Sequence, residues 1–152
     1  MNEQLGRIID DVHALHSKLV LLIGNGTTSK SALLGSLARS RSADVINVGS
    51  ALGKHLAALP VKQRALSVPE ALRGLSDKHG SNGLVLLDNI ELLFDRSLRL
   101  DPLDILKQLG RARRVITAWP GQMREGRLIY AEMGHPEHQD YGLDGLVPFE
   151  IQ

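Results

Sequence analysis

Residues 19–31 constrain this chain more than any other stretch. Leu19 to Ile23 is an unbroken apolar run, and Gly24-Asn25-Gly26-Thr27-Thr28-Ser29-Lys30-Ser31 follows it directly. The run, with Lys18 before it, reads as a buried strand. Ala32, Leu34, Leu37 and Ala38 then recur at helical spacing, so Ser31 to Arg39 reads as a helix. A strand that turns through glycines into a helix can wrap its backbone N–H groups around a phosphate. Glycines permit the tight turn, and the helix adds unpaired N–H groups and the positive end of its dipole. Lys30 is expected to place a full charge on the β- and γ-phosphates, and Ser31 to give a hydroxyl to Mg²⁺. The expected phosphate-binding set is therefore Gly24, Asn25, Gly26, Thr27, Thr28, Ser29, Lys30 and Ser31, for a nucleoside triphosphate with Mg²⁺. The loop departs from G-x-x-x-x-G-K-[ST] at one position, where Ser29 replaces the second glycine.

A second run, Gly83-Leu84-Val85-Leu86-Leu87-Asp88, places an aspartate after four apolar residues. A carboxylate at the end of a strand near the phosphate loop can hold Mg²⁺ through water. Ser31 and Asp88 are thus the expected metal residues. Many ATPases of this kind carry a glutamate directly after that aspartate to orient the attacking water; here the position is Asn89, and Glu91 is the nearest glutamate. Lys30, Asp88, Glu91 and Asn89 form the expected catalytic set, with slow or partner-dependent hydrolysis. Thr117, late in a further strand, stands where a polar residue can sense the γ-phosphate, and Trp119 can wall the site or pack in the core.

The rest of the chain alternates helix and strand. Helices are expected over 3–16, 50–59, from a Ser67-Val68-Pro69-Glu70 capping box to His79, and from Asp101-Pro102 to Gly110. Further strands are expected over 44–48, 114–119 and 127–132, and residues 133–148 read mostly as loop. Strands separated by helices imply an α/β fold: a mostly parallel sheet with helices on both faces, in one domain spanning 1–152.

There are no cysteines, which excludes disulfides and cysteine-based zinc sites and suits a reducing compartment. The polar Met1-Asn2-Glu3-Gln4 does not read as a secretory leader, and Leu19 to Ile23 is too short to span a bilayer, so a cytoplasmic location is expected. Residues 1–130 carry a charge balance of +6 and residues 131–152 one of −5. Such asymmetry can mark a partner surface; the plainer reading is an acidic end folding back on a basic body.

These motifs resemble the AAA+-like branch of P-loop ATPases. More narrowly, the chain is similar to the BrxF family, small P-loop proteins of BREX phage-defence systems. That likeness rests on chain size, on Gly24–Ser31 with serine before the lysine, and on Leu87-Asp88-Asn89-Ile90-Glu91. Thr117-Ala118-Trp119-Pro120-Gly121, Tyr130-Ala131-Glu132 and Gly134-His135-Pro136-Glu137 extend it. The resemblance implies a three-layer P-loop sandwich, ATP as ligand, a bacterial cytoplasm, and partners among larger BREX components, including a large ATPase and a DNA methyltransferase, or self-association. The stretch after Trp119 is expected to be too short for the helical lid of a full AAA+ unit. Arg124 and Arg127 are candidates for an arginine finger.

Rival readings are weaker. Arg111, Arg113 and Arg114, with Lys107, Arg96 and Arg99, could meet DNA phosphates, but arginines at a helix end also stabilise its negative pole. Aromatic residues are 3%, leaving little to stack on single strands. His135-x-x-His138 lacks a third metal ligand. A non-hydrolysing adaptor with a degenerate loop is the main alternative, favoured by Ser29 and Asn89.

Overall fold

Four of the apolar runs become neighbouring strands in a computed structural model of the protein, which describes residues 2–12, 18–24, 27–81, 83–130 and 139–151. The strands are β1 (Leu19–Ile23), β2 (Val45–Asn47), β3 (Leu84–Asp88) and β4 (Arg114–Ala118). Three short strands follow, β5 (Gln122–Arg124), β6 (Arg127–Tyr130) and β7 (Gln139–Tyr141), and then β8 (Val147–Glu150). The main sheet has the order β2-β3-β4-β1-β8, and every pairing in it is parallel. The carboxyl ends of β1, β3, β4 and β8 therefore share one edge.

The helices are α1 (Asn2–Asp11), α2 (Thr27–Arg41), α3 (Val48–Ala57), α4 (Val61–His79) and α5 (Pro102–Ala112). Both sheet faces are covered. Leu5, Ile9 and Val12 from the α1 side and Leu33, Leu34 and Leu37 of α2 pack against Val20, Leu22, Leu86 and Ile116. On the other face Leu52, Leu56, Val68, Leu72, Leu106 and Leu109 meet Leu19, Leu21, Val85, Leu87 and Val115. Alternate residues of β1 thus point into two cores, which explains why the run has no polar position. Three layers result, with α1 and α2 on one side and α3, α4 and α5 on the other.

Local chemistry sets several boundaries. Asp101 caps α5, its carboxylate accepting from the Asp104 N–H at 3.1 Å, with Pro102 in the first turn as expected. The helix runs past Gly110 to Ala112. Asn47 caps α3 by accepting from Ser50 N–H at 3.0 Å, so Val48 opens the helix instead of closing the strand. The capping box at Ser67 does not form. Instead α4 starts at Val61 and holds Pro69 inside it. The Ser67 hydroxyl donates back to the Gln63 carbonyl at 2.9 Å, so it serves the preceding turn.

The last third differs most from the sequence reading. Residues 127–130 do form a strand, but in a separate antiparallel sheet of order β5-β6-β7. Gln139–Tyr141 and Val147–Glu150 are strands where loop was expected. Prolines, glycines and acidic residues made 133–148 read as loop; Pro148 is tolerated in β8 because that strand lies at the edge of the sheet, beside β1. After Ala118 no helix occurs among the described residues. Residues 13–16 of the first expected helix, and residues 131–138 with the His135/His138 pair, lie outside the described residues. No helix of the described residues is long and apolar enough to cross a membrane.

Candidate functional site

Among the described residues singled out above, Gly24, Lys30, Ser31, Asp88 and Asn89 lie at the shared carboxyl edge of the sheet. Gly24 follows β1 at that edge, and α2 begins at Thr27, within the glycine-rich segment itself. Asn25 and Gly26 lie outside the described residues, as do the side chains of Thr27 and Thr28. Ser29 is exposed, Lys30 is buried and Ser31 is half-buried. The Ser31 hydroxyl donates to Oδ2 of Asp88 at 2.7 Å, joining positions 57 residues apart. The two sequence motifs therefore meet. Crevices at the carboxyl ends of parallel strands are where open α/β sheets hold ligands.

Lys30 is only 5% exposed, and its ammonium donates to the Trp119 carbonyl just beyond β4. Burial pushes its pKa below the ordinary lysine value, while the charges of Glu91 and Asp88 pull it back up. Glu91 thus acts on Lys30 ahead of Asp88. It begins the short 3-10 turn Glu91–Phe94 and is exposed.

Asn89 occupies a different niche. Its φ of 56° is left-handed, a conformation that asparagine tolerates better than most residues. Its N–H donates to Asp88 Oδ1 at 2.9 Å, its side-chain amide to Asn47 Oδ1 at 3.1 Å, and its carbonyl accepts from Gly49 N–H at 3.0 Å. A Cβ on Gly49 would stand 2.8 Å from the Asn89 amide nitrogen, so a larger residue there would dislodge it. Asn89 therefore clasps the start of α3 to the end of β3. Sequence reasoning missed this clasp; the preference of asparagine for helix N-caps, at Asn47, was the signal for half of it.

Thr117 is fully buried in β4, opposite Leu21 of β1 and Leu87 of β3. Its hydroxyl has no hydrogen-bond partner among the described residues. Trp119 is also fully buried, with its indole N–H donating to Ile129 O at 3.2 Å. The Phe94 ring packs edge-on to Trp119 at 5.4 Å and stacks on Tyr130 at 3.9 Å, while Tyr141 meets Trp119 edge-on at 5.8 Å. Four of the five aromatic residues thus join the phosphate edge to the small sheet.

The arginines divide. Arg127 is ion-paired across strands with Asp140, and Arg124 donates to the Gln122 side chain at 3.2 Å. Both are exposed. Arg113 pairs with Asp77 at 2.8 Å and Arg114 with Asp10 at 3.8 Å, while the Arg111 carbonyl accepts from Lys18. Two of the three arginines at the end of α5, Arg113 and Arg114, are thus tied into the fold by their side chains, while Arg111 is exposed. Among the described residues, no three His, Asp or Glu side chains converge as a metal cage.

No known family's sequence pattern matches the chain, and no curated protein matches it. Among solved structures, one similar to this chain is a replication initiator DnaA bound to AMPPCP and single-stranded DNA. The TM-score is 0.42 at 19% identity, over 99% of this chain and 45% of that one. The chain thus spans less than half the length of that protein. None of these comparisons concerns a phage-defence system.

Proposed function

We propose that this chain binds ATP with Mg²⁺ through residues 24–31 and hydrolyses it slowly, or only with a partner. The observation that carries this is the Ser31–Asp88 contact beside buried Lys30. A hydroxyl and a carboxylate held together offer the hard oxygen ligands that Mg²⁺ takes while keeping several waters. Asp88 would act from beyond the first ring of waters and Ser31 directly. Bound there, Mg²⁺ would neutralise charge on the terminal phosphates. In this reading the fold is a P-loop sandwich, AAA+-like without a lid, and a single domain over 1–152.

Glu91 is the better candidate to position water. Asn89 has its amide engaged by Asn47, whereas Glu91 is exposed and acts electrostatically on Lys30. Thr117, with its unpartnered hydroxyl, suits a γ-phosphate sensor. Arg124 suits an arginine finger better than Arg127, which Asp140 already holds. We further propose, from the resemblance of its motifs to the BrxF family alone, that the protein works in the bacterial cytoplasm within a BREX phage-defence system. Its partners there would be a large ATPase, a methyltransferase or further copies of itself, and direct DNA contact is the least supported role. A non-hydrolysing nucleotide sensor is the second reading, favoured by the structural use of Asn89.

Titration of a fluorescent ATP analogue with Mg²⁺ against wild type and Lys30→Ala tests the first reading. Binding by wild type and its loss in a folded variant is the expected result. Equal binding, or none in either protein, would remove the phosphate-loop assignment. Phosphate release then separates enzyme from sensor: Glu91→Gln is expected to slow it, and no release from wild type alone or with partners would favour the sensor.

A further inference from the structure

A cavity of about 260 Å³ opens at the carboxyl ends of β1 and β8, beside Gly24. Ile23 and Gly24 wall it together with Gln122, Met123 and Arg124 of β5. Glu150 and Ile151 close it from β8. The fit between β8 and the loop is close. Ile151 N–H donates to Ile23 O at 2.7 Å, and a Cβ on Gly24 would lie 3.2 Å from both the Ile151 Cβ and its carbonyl oxygen. A side chain at position 24 would press on this wall.

We propose that this cavity receives the nucleoside end of the bound nucleotide, with an amino-bearing purine such as adenine as the base. The inference rests on the phosphate-loop reading above. Gly24 belongs both to the loop and to the cavity wall, so a ligand with its phosphates on residues 24–31 has its other end within reach of this space. The volume lies just under the range usual for drug-sized ligands, which suits one nucleoside and not a dinucleotide.

The wall chemistry matches that end of the molecule. Ile23, Met123 and Ile151 offer apolar surface for a flat ring, and a thioether packs well on aromatic systems. The Arg124 Nε–H holds the Gln122 carbonyl oxygen at 3.2 Å, which orients the amide so that its NH₂ is left to donate. The Glu150 carboxylate supplies acceptors. A base edge that both accepts and donates, with ribose hydroxyls beside it, meets both groups. The opposite charges of Arg124 and Glu150 offset each other, so the cavity suits the uncharged end of a nucleotide better than its phosphates.

Calorimetric titration of the whole protein with Mg²⁺-ATP and with Mg²⁺-inorganic triphosphate tests the assignment. Wild type is expected to bind ATP at least tenfold more tightly than triphosphate. Met123→Glu, which charges the apolar wall, and Gln122→Trp, which fills the cavity from an exposed strand position, are each expected to weaken ATP binding at least fivefold. Triphosphate binding should stay unchanged in both, which also reports that the variants are folded. Equal affinity of wild type for the two ligands, or unaltered ATP binding in Gln122→Trp, would overturn the nucleoside assignment while leaving the phosphate loop standing. Binding of neither ligand to wild type would overturn the phosphate loop and this assignment with it.

Discussion

The Lys30 ammonium and the Trp119 carbonyl lie 2.5 Å apart, and both residues are buried. The cation expected to meet phosphate is thus held by a backbone oxygen at the end of the neighbouring strand. A phosphate arriving at the loop competes with that carbonyl for Lys30. Trp119 is the chain's only tryptophan, and its indole also bonds Ile129 in the small sheet. Its emission therefore reports the exchange. Mg²⁺-ATP is expected to shift or quench Trp119 fluorescence saturably in wild type, and to leave it flat in Lys30→Ala. A change of equal size in the variant would mean that the indole senses something other than Lys30.

Burial of Lys30 has a cost to stability. Its pKa is lowered in the fold from 10.5, so between the lowered value and 10.5 the unfolded chain binds the extra proton. Stability then rises with pH across that window, and the charged lysine works against folding below it. Lys30→Met keeps the length of the side chain and removes the charge. Denaturant unfolding at neutral pH is expected to find the variant as stable as wild type or more so, and the alkaline rise to vanish. A loss above about 2 kcal/mol would show that the bond to the Trp119 carbonyl outweighs the desolvation of the charge.

Asp88 and Ser31 make a separate prediction. Asp88→Asn retains an oxygen that can accept from Ser31 but removes the carboxylate charge. Binding of ATP in the presence of Mg²⁺ is expected to weaken at least tenfold, about 1.4 kcal/mol, with little change when EDTA removes the metal. Paired titrations with and without Mg²⁺ read this directly. An equal loss in both would assign Asp88 to the loop's structure and not to the ion.

Much of this arrangement was legible in the sequence, for identifiable reasons. Apart from Asp88, Arg114 and Thr117, strands β1, β3 and β4 are apolar on both faces, so their residues declare themselves without any tertiary information. The Gly24–Ser31 and Asp88 motifs carry their setting with them. Side-chain capping by Asp101 is local, and it was read correctly. What stayed hidden depends on backbone atoms or on distant strands. The partner of Lys30 is a carbonyl, which leaves no trace in residue identity. The strand at Val147–Glu150 exists because β1 offers it an edge, and its proline argued against it. The start of α4 was misplaced because a serine followed by proline and glutamate imitates a cap even when its hydroxyl turns back to Gln63.

Tyr141 gives a marker for the joint between the sheets. Its pKa is pushed up to about 12, by burial first and by the charge of Asp101 second. Below pH 10 the phenol is protonated in both states and contributes no pH dependence. As pH rises from 10 towards 12 the unfolded chain loses this proton and the folded one keeps it, so stability falls. Tyr141→Phe is expected to flatten that part of the alkaline unfolding profile, followed by circular dichroism. An unchanged slope would show that Tyr141 ionises as readily in the fold as outside it.

Thr117 tests whether function is being maintained at the expense of stability. Its hydroxyl is buried between β1 and β3 with no partner among the described residues, and an orphaned buried polar group of this kind costs about 1–3 kcal/mol. Valine has the same shape and no hydroxyl. Thr117→Val is therefore expected to raise the unfolding free energy by about 1 kcal/mol, which is opposite to the usual sign for a core substitution. If the hydroxyl serves the γ-phosphate, the same variant should slow phosphate release while ATP still binds, and Thr117→Ser should restore release. The two measurements answer different questions. Stabilisation with unaltered turnover would make Thr117 a tolerated flaw in the core. Destabilisation would mean that the hydroxyl has a partner in solution, and the sensor role would then have to be sought elsewhere on the carboxyl edge.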